Sequence, residues 1–251
     1  MGGKIGAAAC FKKYGSYGGD PEYRKKKWYE WWEREGKYQK RKMFLSKEIR
    51  KPKYSNNLAE FVGIILGDGG ITKYQVTVSL HKYDDKEYSK FVVQLFKKLF
   101  SVSASIVCKK NQRIKAIDCL VSRKKLVDYC VNTLGLKIGN KVKQQVDVPD
   151  WVKKKLSYKI SCLRGLIDTD GSIFLHRYKV NGKEYKYKKI TFNNSSKPLV
   201  KYVNSILCEV GINSRITRQG KEVRIGSIVD IKKYFRVIGS HNPKHLKRYK
   251  K

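Results

Sequence analysis

From residue 56 onward the apolar and polar positions run through one order of elements twice. "NNLAEFVGIILGDGGI" (56–71) is almost continuously apolar and reads as a buried helix that ends at Asp68 and Gly69. "YQVTVSLHK" (74–82) then alternates Val76, Val78 and Leu80 with Gln75, Thr77, Ser79 and His81, the period of a strand with one polar face. A helix over 85–100, short strands within 102–110 and 115–122, and a helix over 123–135 complete the unit. The second copy opens with "YKISCLRGLIDTDGSI" (158–173) and continues with "YKKITFNNS" (187–195), where Ile190 and Phe192 oppose Lys189, Thr191 and Asn193. A helix over 197–211, strands within 213–219 and 222–227, and a helix over 228–239 follow. The pattern predicts an α+β fold of two pseudo-symmetric αββαββα halves, 56–135 and 158–240. Residues 136–157 read as a linker broken at Pro149, and 241–251 as a basic tail.

The first fifty residues lie outside this repeat. Residues 1–20 are Gly-rich without pattern and read as flexible. Asp20 before Pro21 is an N-cap followed by proline at the first helical position, so a helix is expected over 21–44. Trp28, Trp31 and Trp32 share one face of it, suited either to docking on the main domain or to an accessory DNA-binding helix. Residues 45–55 form a basic linker, so the chain opens with a basic, helical extension over 1–50.

Charge narrows the partner. The 251 residues carry 57 Lys and Arg against 21 Asp and Glu, a net +36, and such self-repulsion points to a polyanion, nucleic acid foremost. Seventeen tyrosines interleaved with the basic residues can stack on bases. Six cysteines form no C-x-x-C pair, which favours reduced thiols. No run of 18 apolar residues and no signal-like opening is present, so an intracellular protein, in cytoplasm or organelle matrix and away from membranes, is expected.

Asp68 and Asp170 occupy matching places at the C-terminal ends of apolar helices, where the helix dipole disfavours a carboxylate. Gly63 and Gly67, like Gly165 and Thr169, are four residues apart on one helix face, and such small residues let two helices approach closely. That packing would set the two acids side by side, and a divalent cation would relieve their repulsion, with oxygen ligands suited to Mg²⁺ or Mn²⁺. A lone Gly-Asp-Gly-Gly is more often a turn; the duplication makes it a site. Asp168, matched by Leu66 in the first copy, reads as a surface or packing residue.

"FVGIILGDG" (61–69), with Gly63, Ile65, Asp68 and Gly69, and "LRGLIDTDG" (163–171), with Leu163, Gly165, Leu166, Ile167, Asp168, Asp170 and Gly171, carry a family motif twice in register. In these segments the chain resembles the LAGLIDADG homing endonucleases in their single-chain, two-motif form, over residues 56–240. The resemblance implies a saddle of antiparallel sheets and a metal-dependent double-strand cut in DNA. It implies one acid per motif, Asp68 and Asp170, joined by the carbonyls of Gly67 and Thr169 as metal ligands. It also implies polar groups around water and phosphate at the strand ends: His81 and Lys82 in the first half, Asn193 and Asn194 in the second. The second half lacks a lysine there, which makes the two halves unequal.

Base reading is expected from polar strand faces in the major groove: Lys73, Gln75, Thr77 and Ser79, then His176, Tyr178, Tyr187, Lys189, Thr191, Arg215 and Arg224. Unequal halves predict a monomer on a long, asymmetric double-stranded DNA site. An RNA maturase or intron-splicing factor, with intron RNA as partner, and a non-cleaving DNA-binding regulator are the alternatives on the same fold. Nothing beside the two halves reads as an intein splicing block, so an intron-encoded or free-standing homing product is expected.

Overall fold

The computed structural model describes residues 2–39, 47–108 and 115–250, and the chain divides into two compact units between residues 47 and 48. In the first unit, α1 (Gly2–Tyr14) is followed by α2 (Pro21–Arg34). The helix α1 corrects the expectation of flexible chain over 1–20: three consecutive alanines, the best helix formers, fall in its middle. The Asp20 carboxylate accepts from the backbone N–H groups of Glu22 and Tyr23 at 2.9 and 3.3 Å, which starts α2. It ends at Arg34 rather than 44, because the chain turns at Gly36, whose bare Cα lies against the rings of Trp31 and Trp32. Trp28 and Trp32 stack with centroids 5.5 Å apart. The rest of the expected helix, from residue 40, falls outside the described residues.

The second unit holds the repeat. Its first half runs α3 (Asn56–Leu66), β1 (Gly69–Ile71), β2 (Val76–His81), α4 (Lys86–Phe100), β3 (Ser105–Cys108), β4 (Ala116–Val121) and α5 (Lys124–Asp128), which continues in a wider π turn over Tyr129–Thr133. A short α6 (Asp150–Lys153) precedes the second half: α7 (Leu156–Asp170), β5 (Gly171–Val180), β6 (Lys183–Asn193), α8 (Lys197–Glu209), β7 (Arg215–Thr217), β8 (Glu222–Ile225) and α9 (Ile228–Val237). A final α10 spans Pro243–Lys250. Each half builds one antiparallel four-stranded sheet, in the orders β1-β2-β4-β3 and β5-β6-β8-β7.

The period-2 patterns decide which strand faces are buried. Val76, Val78 and Leu80 of β2, with Ile190 and Phe192 of β6, point into the core. From Leu58 to Leu66 every residue of α3 is buried, as expected of a helix apolar on nearly every side, with Glu60 the one charged exception. Ser55 caps it, its Oγ accepting from the Leu58 N–H at 3.3 Å. Phe61 meets Phe96 and Phe100 edge-on, at 5.2 and 5.0 Å.

Two expectations about connecting chain are corrected. Residues 241–251 are not a loose tail: Asn242 and His245 have no exposed surface, and Tyr249 stacks on Phe235 at 3.8 Å. Residues 136–157 are more than a linker, since Trp151 is buried, stacks on Tyr54 at 4.3 Å and donates from Nε1 to the Leu134 carbonyl. The two halves also differ in their first hairpin. β5 and β6 are 10 and 11 residues long against 3 and 6 for β1 and β2. Asn181 and Gly182, at φ 48° and 80°, form the tight Asn-Gly turn that lets this hairpin extend. The cysteines are free, and among the described residues no helix is long and apolar enough to cross a membrane.

Candidate functional site

The site starts from a helix crossing that only glycine permits. A side-chain carbon at Gly165 would sit inside the Glu60 carbonyl oxygen and 2.9 Å from the Ile64 nitrogen. One at Gly63 would strike the Cys162 carbonyl oxygen and stand 3.1 Å from the Leu166 nitrogen. These obstacles are backbone atoms of the facing helix, so α3 and α7 touch main chain to main chain. Gly67 lies equally close to Thr169, whose Oγ1 donates to the Gly165 carbonyl at 2.9 Å. Asp68 follows the C-cap of α3 and Asp170 ends α7, so the crossing brings the two acids together.

Their electrostatics record the cost. Burial, then the charge of Asp170, pushes the Asp68 carboxyl up to about 7, and burial raises Asp170 as well. Asn194 Nδ2 donates to Asp170 Oδ2 at 2.6 Å and partly offsets that rise. Lys141, from the chain between the halves, compensates further. Its ammonium donates to the carbonyls of Ile65 and Leu66 at 3.0 Å each, and to that of Gly67. Burial lowers the Lys141 pKa, and the two aspartates pull it back up. Beside them is a cavity of about 450 Å³ lined by Leu66, Gly67, Lys141, Asp170, Asn193 and Asn194. Two half-buried carboxylates and a cradle of helix-end carbonyls already holding an ammonium make an oxygen-rich cation site, and so fit a hard divalent metal.

Lys141 was not among the residues expected from sequence. It follows Gly135, the positive-φ glycine that ends the last helical segment of the first half, as Lys244 follows Gly239 in the second. No periodicity marks either lysine in the sequence, and the folded chain alone shows what each one reaches. The lysines are used differently: Lys244 Nζ sits 2.7 Å from Asp85 Oδ1. Burial raises the Asp85 pKa, but the bonds from Lys244 and Asn242 outweigh it and hold this carboxyl low.

Register corrects the placement of His81 and Lys82. Gly69 pairs with Val78 and Gly171 with Phe192, so the residues across from Asp68 and Asp170 are Ser79 and Asn193. The Ser79 N–H accordingly donates to the Asp68 carbonyl at 3.0 Å. His81 and Lys82 lie farther along and do not line the cavity: His81 Nδ1 accepts from the Asp84 N–H at 3.1 Å, and the Lys82 ammonium lies over the Tyr83 ring.

The expected DNA face divides in the same way. Lys73 and Gln75 are exposed, and Thr77 and Ser79 are half-buried on the polar face of β2. Ser79 Oγ donates to Asp118 Oδ1 at 2.6 Å, and Gln75 reaches Ser122 at 3.0 Å. On the long hairpin, His176, Tyr178 and Tyr187 join Tyr185 in a ladder of rings with centroids 5.2 to 5.9 Å apart. Lys189 and Thr191, by contrast, are only 6% and 4% exposed, which corrects their reading as an open strand face. They sit mid-sheet, Thr191 between Ser172 and Arg224, and Lys189 opposite Phe174 with its ammonium on the Tyr187 ring. Arg224 Nε donates to the buried Glu222 at 2.8 Å, whereas Arg215 is exposed.

A family model described as a LAGLIDADG-like domain matches residues 157–242. No curated protein matches the chain in sequence. Among solved structures, the LAGLIDADG meganuclease I-AabMI bound to uncleaved DNA superposes with a TM-score of 0.52 at 12% identity, over 78% of this chain and 88% of that one. The homing endonuclease I-LtrWI bound to target DNA gives 0.50 at 13% identity, over 78% and 87%. I-DmoI in complex with DNA and Ca gives 0.50 at 17% identity, over 78% and 98%. Residues 157–242 thus match the LAGLIDADG-like domain model, and the two halves together have the fold of the LAGLIDADG homing endonucleases.

Proposed function

We propose that the protein is a site-specific DNA endonuclease that makes a metal-dependent double-strand cut as a monomer. The observation that carries this reading is the pairing of Asp68 and Asp170, half-buried side by side where two helices end, with Lys141 against them. A divalent ion, Mg²⁺ or Mn²⁺, held by both carboxylates and the carbonyls of Gly67 and Thr169, would supply Lewis acidity toward water and the scissile phosphate. The chain's own groups do the rest. Asn194 orients the Asp170 carboxylate, and Asn193 faces the same cavity. Lys141 places positive charge where charge develops on phosphate oxygen, and its lowered pKa suits it to passing a proton. The exposed aromatic and basic residues of β5 and β6 hold the duplex.

Lys141→Met is expected to slow cleavage by about 100-fold or more while DNA affinity changes only a few-fold. Single-turnover rates against binding isotherms measure the two separately. One observation favours a second reading, a non-cleaving DNA-binding protein: Lys141 already fills the carbonyl cradle and would be a permanent counter-ion. In that case the wild-type protein binds DNA and cuts under no metal.

The unequal hairpins set a further expectation. Ten residues of β5 span about 33 Å, the length of nine or ten base pairs, whereas six residues of β2 span about 20 Å, or six. Bases selected from a random duplex library should therefore extend roughly four base pairs farther from the cut on the side read by β5 and β6. A site of equal arms would contradict this use of the hairpin.

A further inference from the structure

Two more carboxylates are buried under the C-terminal segment. Glu60 of α3 and Asp168 of α7 are 2% and 1% exposed. Ser240 Oγ donates to Asp168 Oδ1 at 2.5 Å and the His241 N–H to its Oδ2 at 2.7 Å, while His241 Nδ1 lies 2.5 Å from Glu60 Oε1. Arg164, 3.2 Å from Glu60, balances one of the two charges. Asp168, the other, has among the described residues an imidazole, His245, as its one ion-pair partner. His245 is wholly buried, its Nδ1 is 3.4 Å from Asp168 Oδ1, and neither ring nitrogen makes a hydrogen bond. Buried polar groups left unpaired are rare in folded proteins and point to a bound water or ion.

We propose that Glu60, Asp168, His241 and His245 form a structural zinc site, separate from the Asp68 and Asp170 pair. Two carboxylate oxygens and two imidazole nitrogens are a tetrahedral zinc donor set. The donor atoms of Glu60, Asp168 and His241 all lie within 4.8 Å of one another. A zinc tetrahedron has edges of about 3.4 Å, so shifts of about 1 Å bring these three donors to it, and His245 Nδ1, 3.4 Å from Asp168 Oδ1, is the fourth. The closest pair, His241 and Glu60, must open by that amount, and the His241 side chain, 44% exposed, has room to do so and gives the ion a way in. Ser240 and the His241 backbone already orient Asp168 as outer-shell donors do. The filled site ties the C-terminal segment to both motif helices, and so fastens the two halves together.

The test uses the full chain carrying Asp68→Asn and Asp170→Asn, which removes the other candidate metal ligands. After EDTA stripping, zinc addition and gel filtration, elemental analysis should find one zinc per chain, and cobalt in its place should give the intense visible bands of a tetrahedral site. His241→Gln, a change at a half-exposed position, should lose the retained metal and the zinc-dependent rise in thermal midpoint, while His81→Gln should keep both. Glu60→Gln gives a second ligand deletion, with circular dichroism to verify its fold. Absence of retained zinc in the parent, or equal retention by His241→Gln and Glu60→Gln, would overturn the proposal and leave a hydrogen-bonded polar clamp.

Discussion

Asp68→Asn and Asp170→Asn are each expected to lower DNA cleavage by about 10³-fold or more, and at the same time to stabilise the metal-free protein above neutral pH. The second effect separates a functional acid from a structural one. The Asp68 carboxyl rises from 3.8 to about 7 in the folded protein, so between those values the folded state binds more protons than the unfolded chain. Stability of the metal-free protein therefore falls as pH rises from about 4 to about 7 and levels off above. The three pH units correspond to at most about 4 kcal/mol. Thermal unfolding in EDTA across pH 4 to 8 should show this slope in the wild type and a flatter profile in Asp68→Asn. Adding Mg²⁺ at pH 8 should raise the wild-type midpoint and leave the variant unmoved.

Gly165→Ala should cost about 3 kcal/mol or more, a drop of roughly 6 to 12 °C in thermal midpoint for a unit of this size. The added methyl has no flexible side chain to push aside, because it meets the Glu60 carbonyl and the Ile64 nitrogen of the facing helix. Relief requires α3 and α7 to separate, which also pulls Asp68 from Asp170. Stability and cleavage should then be lost together, unlike the opposite movements expected for Asp68→Asn. Gly226→Ala is the control: a Cβ there meets nothing within 4 Å, and the midpoint should stay within about 2 °C. Differential scanning calorimetry on the three proteins measures both effects.

Much of the architecture was legible because it is written twice. Alternation in 76–80 and 189–193 marks the buried faces of β2 and β6, and the duplicated Gly-Asp-Gly and Thr-Asp-Gly segments pair the acids. The small residues Gly63 and Gly165 announced the helix crossing that the backbone distances require. What escaped sequence reading depends on contacts rather than on period. Lys141 sits in connecting chain with no periodicity, and only the folded path carries it to the ends of α3 and α7. The family resemblance implies His81 and Lys82 at the strand end near the acid; the register puts Ser79 there, and β1, three residues long, has too little alternation to reveal it. Alternation assigned Lys189 and Thr191 to the polar face but could not show that Phe174, Tyr187 and Arg224 crowd it. The segment 241–250 looked like a basic tail because its buried anchors, Asn242 and His245, are polar.

Under the proposed function, Asp68 and Asp170 form one metal-dependent site that cuts DNA. Its most direct test incubates the wild-type protein and the Asp68→Asn and Asp170→Asn variants with a random-sequence duplex library in Mg²⁺ and in Ca²⁺, and sequences the ends produced. Paired, staggered ends within one long asymmetric sequence are expected in Mg²⁺ with the wild type, and none with either variant. Binding of the library without cleavage in Mg²⁺, Mn²⁺ or Ca²⁺, or cleavage that survives both substitutions, would contradict it.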